Sequence, residues 1–449
     1  LATFGTLRVG HKVRQHLENG GFGKNRKNFS NRKSFNEASV DCFRFLHTGE
    51  LWLDRPIRVR GGLPPSLMAR VLEGPRRTWE RICQLALRED VDLVVLSGNL
   101  VDGSRASPAD LDAVLAGCET LAQNDIAAIW MAGKAEEQGP WPAELALPDT
   151  VHVFSGEEVQ QRQVRTRKGT IDVLVWPTSY PWEASREAFL PHQPGQFVLG
   201  LARCQSLEEL PNIIGVSYWA LGGPVPRTDS LPSTVAHAAG PPLIRDADDP
   251  ALPTVTIAEW NINRRIALRE VSVAAIRYAT VVLLISPETQ WAGLSSQLVQ
   301  ELESRRASSD ADWLIAIKLQ GPVEALIRWK REGLDAQLLE FVQSRYLQEP
   351  PYLWPTDVVW DPVDLGPDEW LKETSFRGEF LRQVHAIYEN LVIGQTDAVA
   401  ALAGPISPGQ AVDAIVPIWE EILRQAAFEG LEALSHVSAS VKGEASACS

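Results

Sequence analysis

RRTWERICQLALREDVDLVVLSGNLVDG (residues 76–103) reads as a helix, a strand and a loop in one stretch. Trp79, Ile82, Leu85 and Ala86 recur at helical spacing, which predicts an amphipathic helix over 76–89. VDLVVLS (91–97) is a short apolar run with β-branched content, the pattern of a strand. It runs straight into SGNLVDG (97–103), and loops at strand ends are where such folds place function.

The same strand-then-loop unit recurs on either side. FRFLH (43–47) leads into HTGELWLDRP (47–56), IAAIWM (126–131) into MAGKAEE (131–137), and VSYWALG (216–222) into YWALGGPVPR (218–227). SPADLDAVLAGCETLAQ (107–123) is a second helix, with Ser107 and Pro108 placed as N-cap and first-turn residue. Further strands are expected at VHVF (151–154), IDVLVW (171–176), QFVLGL (196–201), TVTIAEW (254–260) and RRIALREV (264–271). Helices covering such strands form a layered α/β fold of two sheets with helices outside.

The order of these loops resembles the calcineurin-like phosphoesterases, which place Asp-x-His, Gly-Asp-x-x-Asp, Gly-Asn-His and Gly-His-x-His after four successive strands. Within that superfamily the chain is most similar to the SbcD-type DNA-repair exonucleases and their YhaO-like branch. It keeps the branch's Leu53, Asp54 and Pro56, and its Tyr218, Trp219, Ala220, Leu221 and Gly222. The resemblance covers about residues 43–345 and implies a calcineurin-like sandwich of two β-sheets flanked by helices, a small α/β capping domain, and C-terminal helices.

It also implies where the metal ligands should stand, and there the residues differ. The first Asp corresponds to Glu50, its His partner to Trp52, the bridging Asp to Asn99, the Asn ligand to Lys134, and the His that protonates the leaving group to Ala135. A later lone His falls near Ala202, and the last two fall at Gly223 and Val225. Two divalent ions held close together need several anionic or imidazole ligands and a bridging carboxylate. Of these positions only Glu50 and Asn99 offer an oxygen, and an indole offers no lone pair. No metal or other cofactor is therefore expected; manganese belongs to the alternative reading.

Lys134 brings an ammonium beside the vacated site. Either it pairs with Glu50 as a plug where metals would lie, or it points into solvent. His47 is expected to be a satisfied structural histidine, and Asp102 a turn cap. His152, His192, His237, His385 and His436 show no ligand spacing. GGFG (20–23) and the Gly61–Gly62 pair lack the helix of a phosphate loop. No nucleophile elbow or Cys/His pair appears.

The chain's 449 residues, 45% of them hydrophobic, allow two or three domains. Its longest apolar runs, such as TVVLLIS (280–286), are too short to cross a bilayer. Five cysteines without close spacing point to reduced thiols and a cytoplasmic location. Residues 1–40 hold eight Lys/Arg and two Glu, leaving 35 basic and 55 acidic residues elsewhere, a net of −20. So acidic a body disfavours duplex DNA. RQVRTRK (162–168) and RWKREG (328–333) read equally as basic contacts or as solvated hairpin and helix faces.

The expected divisions are a disordered basic tail (1–42), a phosphoesterase-like domain (43–270), a capping domain (271–349), a linker with C-terminal helices (350–437) and a loose tail (438–449). The first segment is either a weak nucleic-acid binder or the product of an over-long reading frame. TVVLLIS, SSQLVQELESRR (295–306) and DWLIAIKLQG (312–321) predict a βαβ unit, and the Pro- and Trp-rich stretch 347–370 a connector. Phe380, Leu381, Val384, Ile387, Tyr388 and Leu391 form a helical stripe. It either packs back on its own domain or, as the resemblance implies, docks on an SbcC-like coiled-coil ATPase; the family also makes a homodimer an expectation.

Two function classes follow. The first is a catalytically degenerate relative acting as a binding or scaffolding subunit in DNA maintenance. The second is a still-active metal-dependent exonuclease or phosphoesterase with a non-standard site.

Overall fold

The computed structural model describes residues 42–155, 159–176, 196–203, 215–223, 226–231, 234–247, 253–261, 263, 265–394 and 421–434. All belong to the larger of two compact units, residues 39–449. The tails expected at 1–42 and 438–449 lie outside these residues, Cys42 excepted, and so do His192, His436 and Val225.

Two six-stranded sheets form the body. The first contains β1 (Phe43–Thr48), β2 (Leu93–Ser97), β3 (Ala127–Met131), β4 (Val151–Phe154), β11 (Thr254–Trp260) and β12 (Ile266–Ser272), in the order β12-β11-β1-β2-β3-β4. The second contains β5 (Gln160–Thr166), β6 (Gly169–Trp176), β7 (Val198–Arg203), β8 (Tyr218–Gly222), β9 (Arg227–Leu231) and β10 (Thr234–Ala238), in the order β5-β6-β7-β8-β10-β9. β1 to β4 run parallel, as do β6, β7 and β8. Their carboxyl ends therefore open on common edges.

The alternation within each strand makes the layers. Phe43, Phe45, Leu93, Val95, Ile129 and Met131 point from the first sheet into a core shared with Val173, Val175, Leu199, Leu201 and Tyr218 of the second. Leu46, Val94, Leu96, Ala128 and Trp130 point the other way, onto Trp79, Ile82, Leu85, Val114 and Leu121. These belong to α2 (Gly74–Arg88) and α3 (Pro108–Gln123), the helices that 76–123 predicts. Each fully buried Leu, Val or Phe contributes roughly 1.5–3 kcal/mol to this sandwich. Ser107 and Asp110 form a reciprocal capping box, with Pro108 in the first turn of α3. A short helix, α1 (Pro65–Leu72), precedes α2, and α4 (Lys134–Gln138) follows β3. The result is the expected α/β architecture, two mixed sheets flanked by helices.

A third layer is a parallel sheet, β13-β14-β15, of β13 (Ile276–Leu284), β14 (Asp312–Gly321) and β15 (Leu353–Pro362). α5 (Trp291–Ser308), α6 (Val323–Arg331) and α7 (Leu334–Tyr346) cover one of its faces through Leu294, Leu298, Leu326, Leu338 and Val342. The predicted βαβ unit is β13-α5-β14. β15 occupies the stretch expected to be a connector, so residues 353–362 pair with 313–321 and are no linker. Pro355 hides this strand from a sequence reading, yet β15 is an edge strand and tolerates a missing N–H. After α8 (Asp368–Leu371), α9 (Phe376–Gly394) buries Leu381 and Val384. Leu381 joins Trp360, Phe428 and Leu431 in the layer's core, so this part of the stripe packs on its own chain. Ile387 is exposed; the side chains of Tyr388 and Leu391 lie outside the described residues. No described helix is long and apolar enough to cross a membrane.

Candidate functional site

The parallel register carries the four motif loops to one edge. Gly49 donates its N–H to Gly240 O at 3.1 Å, and the main-chain N–H groups of Leu51 and Leu53 donate to Asn99 O and Leu100 O, each at 2.8 Å. Gly98 donates to Met131 O at 3.2 Å. A Cβ on Gly222 would lie 3.1 Å from Ser97 O and 3.7 Å from both Arg203 Cγ and Met131 Cε. The ends of β2, β3, β7 and β8 therefore converge on the loop that follows β1.

Glu50 sits at the centre of this edge. Trp52 donates its indole N–H to Glu50 Oε2 at 2.9 Å, and Asn99 donates Nδ2–H to Glu50 Oε1 at 2.8 Å. Asn99 Oδ1 in turn accepts the N–H of Ala135 at 2.9 Å. Two glycines permit the closeness. Gly98 has φ +130° and its Cβ would fall 2.7 Å from Glu50 Cγ; a Cβ on Gly133 would fall 2.1 Å from Asn99 Oδ1. Trp52 itself adopts φ +52°, which for a non-glycine residue costs on the order of 1–3 kcal/mol. Its contacts offset that cost. The Arg55 guanidinium stacks 3.2 Å from the ring centroid, and Arg245 donates to the carbonyls of Leu51, Trp52 and Arg55. Burial draws the Arg245 pKa down to about 10.

Lys134 does not plug the site. It opens α4 with its side chain exposed, and no ion pair joins it to Glu50, whose oxygens already accept the Trp52 and Asn99 protons. The ion pair on α4 is Glu137 with Arg203. Ala202, expected near the lone-histidine position, points instead into the outer core of the second sheet with Leu174 and Trp219. Arg203 is the residue that reaches the edge. Gly223 follows β8, with Ala238 Cβ 3.8 Å from where its own Cβ would stand.

Glu136 binds two loops together. Its carboxylate accepts the N–H groups of Leu100, of Val101 at 3.1 Å and of Gly133 at 2.7 Å. Burial outweighs these donors and pushes its pKa up to about 7. Asp102 caps its turn as expected, accepting from Ser104 N at 3.0 Å and Ser104 Oγ at 2.6 Å. Asp54 accepts the Asp102 N–H at 3.0 Å.

His47 is buried behind the loops, Nε2 2.7 Å from Ser97 Oγ and Nδ1 2.9 Å from Tyr218 OH. A serine this close to an imidazole resembles a nucleophile and its base. Both residues are fully buried, however, and Ser97 Oγ donates to Leu221 O at 3.0 Å. The network is consistent when Nε2–H donates to Ser97 and Tyr218 O–H donates to Nδ1. Burial, then the neighbouring His237, hold the His47 pKa well below its ordinary value. His237 lies 5.6 Å away between ring centroids and bonds Thr228 and Thr256 through its two nitrogens, each at 2.7 Å. This pair is a buried strut, not a catalytic dyad.

The sequence reading missed Arg203, Glu136, Glu137, Arg245 and the pairing of His47 with His237. Only Glu136 carries a local signal, three residues after Gly133 at capping-box spacing. The others meet through strand order alone.

These residues do not fit a dinuclear metal centre. Both Glu50 oxygens and the Asn99 oxygen are engaged by N–H donors. Among the described residues no group of three or more His, Cys, Asp or Glu is placed to hold a metal ion.

No protein-family model matches the chain. Over 118 residues it is 26% identical to the uncharacterized metallophosphoesterase YhaO of Bacillus subtilis (strain 168). That match covers 26% of this chain and 29% of the relative, so less than a third of the relative's length is spanned. Over that stretch the chain is similar to a metallophosphoesterase. Among solved structures, TT1561 of Thermus thermophilus aligns with 51% of this chain and 98% of its own, at 14% identity and a TM-score of 0.29. GAP50, the anchor in the inner membrane complex of Plasmodium, aligns with 52% and 85%, at 9% identity and a TM-score of 0.27.

Proposed function

We propose that this chain is a catalytically silent relative of the SbcD-type DNA-repair exonucleases, serving as a binding or scaffolding subunit in DNA maintenance. One observation carries the reading: the Glu50 carboxylate is consumed by the Trp52 indole and the Asn99 amide. A carboxylate so engaged has no role as a bridging ligand, and the bridging position itself holds an amide. Charge supports a protein partner over duplex DNA. Of the basic string 162–168, Arg167 pairs with Asp90 and Asp92 and Lys168 with Asp92, so these two cations already have carboxylate partners within the chain.

The test is purified chain with manganese on linear duplex DNA and on a bis-aryl phosphate. No hydrolysis above the metal-only control is expected. Hydrolysis that Glu50→Gln abolishes would establish the competing reading, a manganese-dependent exonuclease with a non-standard site. Scaffolding predicts that the chain is recovered with a coiled-coil ATPase and that trimming residues 368–449 releases it.

A further inference from the structure

The third sheet is parallel throughout, yet among the described residues helices cover only one of its faces. Parallel sheets ordinarily bury both. On the other face the first residues of each strand, Ile276, Leu314 and Trp354, pack into the core beneath α1 and α2. Beyond them the strands overhang. Val282, Leu284, Val359 and Val363 are 43%, 64%, 39% and 52% exposed. The register places Val282, Lys318 and Val359 in one row and Leu284, Gln320 and Asp361 in the next.

We propose that this overhanging face docks one amphipathic helix of a partner protein, with an apolar stripe on Val282, Leu284 and Val359 and basic residues against Asp357 and Asp361. Shape and charge select that occupant. The outer strands stand about 10 Å apart, matching a single helix about 10–12 Å across. Three strands about 4.8 Å apart make a face only about 15 Å wide, narrow for a face-to-face dimer, which needs about 800 Å² per partner. It also carries more acid than base. Lys318 is held by Asp361 at 3.0 Å, and Gln320 donates to the same carboxylate at 2.6 Å. Asp357 is exposed and accepts only its neighbour Val358's N–H, at 2.8 Å, among the described residues. A cation arriving at Asp357 would complete the face, while an acidic helix would be repelled. None of these residues belongs to the Glu50 loops, so the inference does not depend on whether the pocket is silent.

The probe is a fluorescein-labelled synthetic helix of leucines at i, i+3, i+4 and i+7 spacing flanked by lysines, titrated against the full chain by anisotropy. A scrambled peptide and a glutamate-flanked peptide are the controls. Selective, salt-sensitive binding is expected, weakened about tenfold or more by Asp357→Lys and by Leu284→Asp. Thermal midpoints check that both variants fold; if Leu284→Asp does not, Asp357→Lys alone decides, since its side chain is exposed. Binding no better than the scrambled peptide, or indifferent to Asp357→Lys, overturns the proposal. Concentration-dependent dimerisation that Asp357→Lys abolishes would assign the face to a second copy and overturn it equally.

Discussion

Glu50 accepts two N–H donors and takes none of the Lys134 charge, so their substitutions should part company. Glu50→Ala strands the Trp52 indole and the Asn99 amide and should cost about 1–3 kcal/mol in urea unfolding. Lys134→Ala, on an exposed side chain, should stay within about 0.5 kcal/mol; an equal loss for both would restore the plug. Gly133→Ala should be worse than either, because its Cβ would meet Asn99 Oδ1 at 2.1 Å. The buried histidines set a pH dependence. His237 has a folded pKa of about 4 against an ordinary 6.5, so the unfolded chain binds its proton first. The stability it contributes is complete above about pH 6.5 and lost as pH falls toward 4, by about 1.4 kcal/mol per unit. Glu136, raised to about 7 from 4.5, acts in the opposite sense: it favours folding at acid pH and costs stability as pH rises from 4.5 to 7. Comparing unfolding midpoints of the native chain and His237→Asn across pH 4.5–6 isolates the histidine; equal slopes would show that it is not buried neutral. The positions of Glu50, Trp52, Asn99 and Asp102 were legible because each follows a recognisable strand. Arg203 and His237 were not, since their neighbours come from strands distant in sequence.

Elements legible in sequence were those with an unbroken period: α2, α3, β2 and β3 announce themselves by spacing and caps. β15 did not, since its prolines read as a connector and only pairing with β14 makes it a strand. Its layer is tied to the body by Asp312, fully buried at the start of β14. Arg70 donates to Asp312 at 2.6 and 3.1 Å, Arg77 at 3.5 Å and Tyr352 N at 3.0 Å. Asp312→Ala would leave those cations facing each other without a counter-charge, at a cost of about 3–5 kcal/mol. The measurement is hydrogen exchange: amides of β13–β15 should lose protection before those of β1–β3. Uniform loss across all three sheets would mean that the ion cluster does not join layers.

Across the whole molecule, a framework of strands delivers four loops to one edge, and hydrogen bonds then fasten those loops to each other. Trp52, Glu50, Asn99 and Ala135 form one chain of such bonds, while Glu136 and the Arg203–Glu137 pair form others. If these bonds hold the arrangement without dications, as the proposed function requires, chelators should leave the thermal midpoint unchanged. The most direct test is metal content. The chain is purified without chelator, incubated with excess manganese, dialysed, and assayed by plasma mass spectrometry for manganese, iron and zinc. No stoichiometric metal is predicted; two ions per chain, released by Glu50→Gln, would contradict the account.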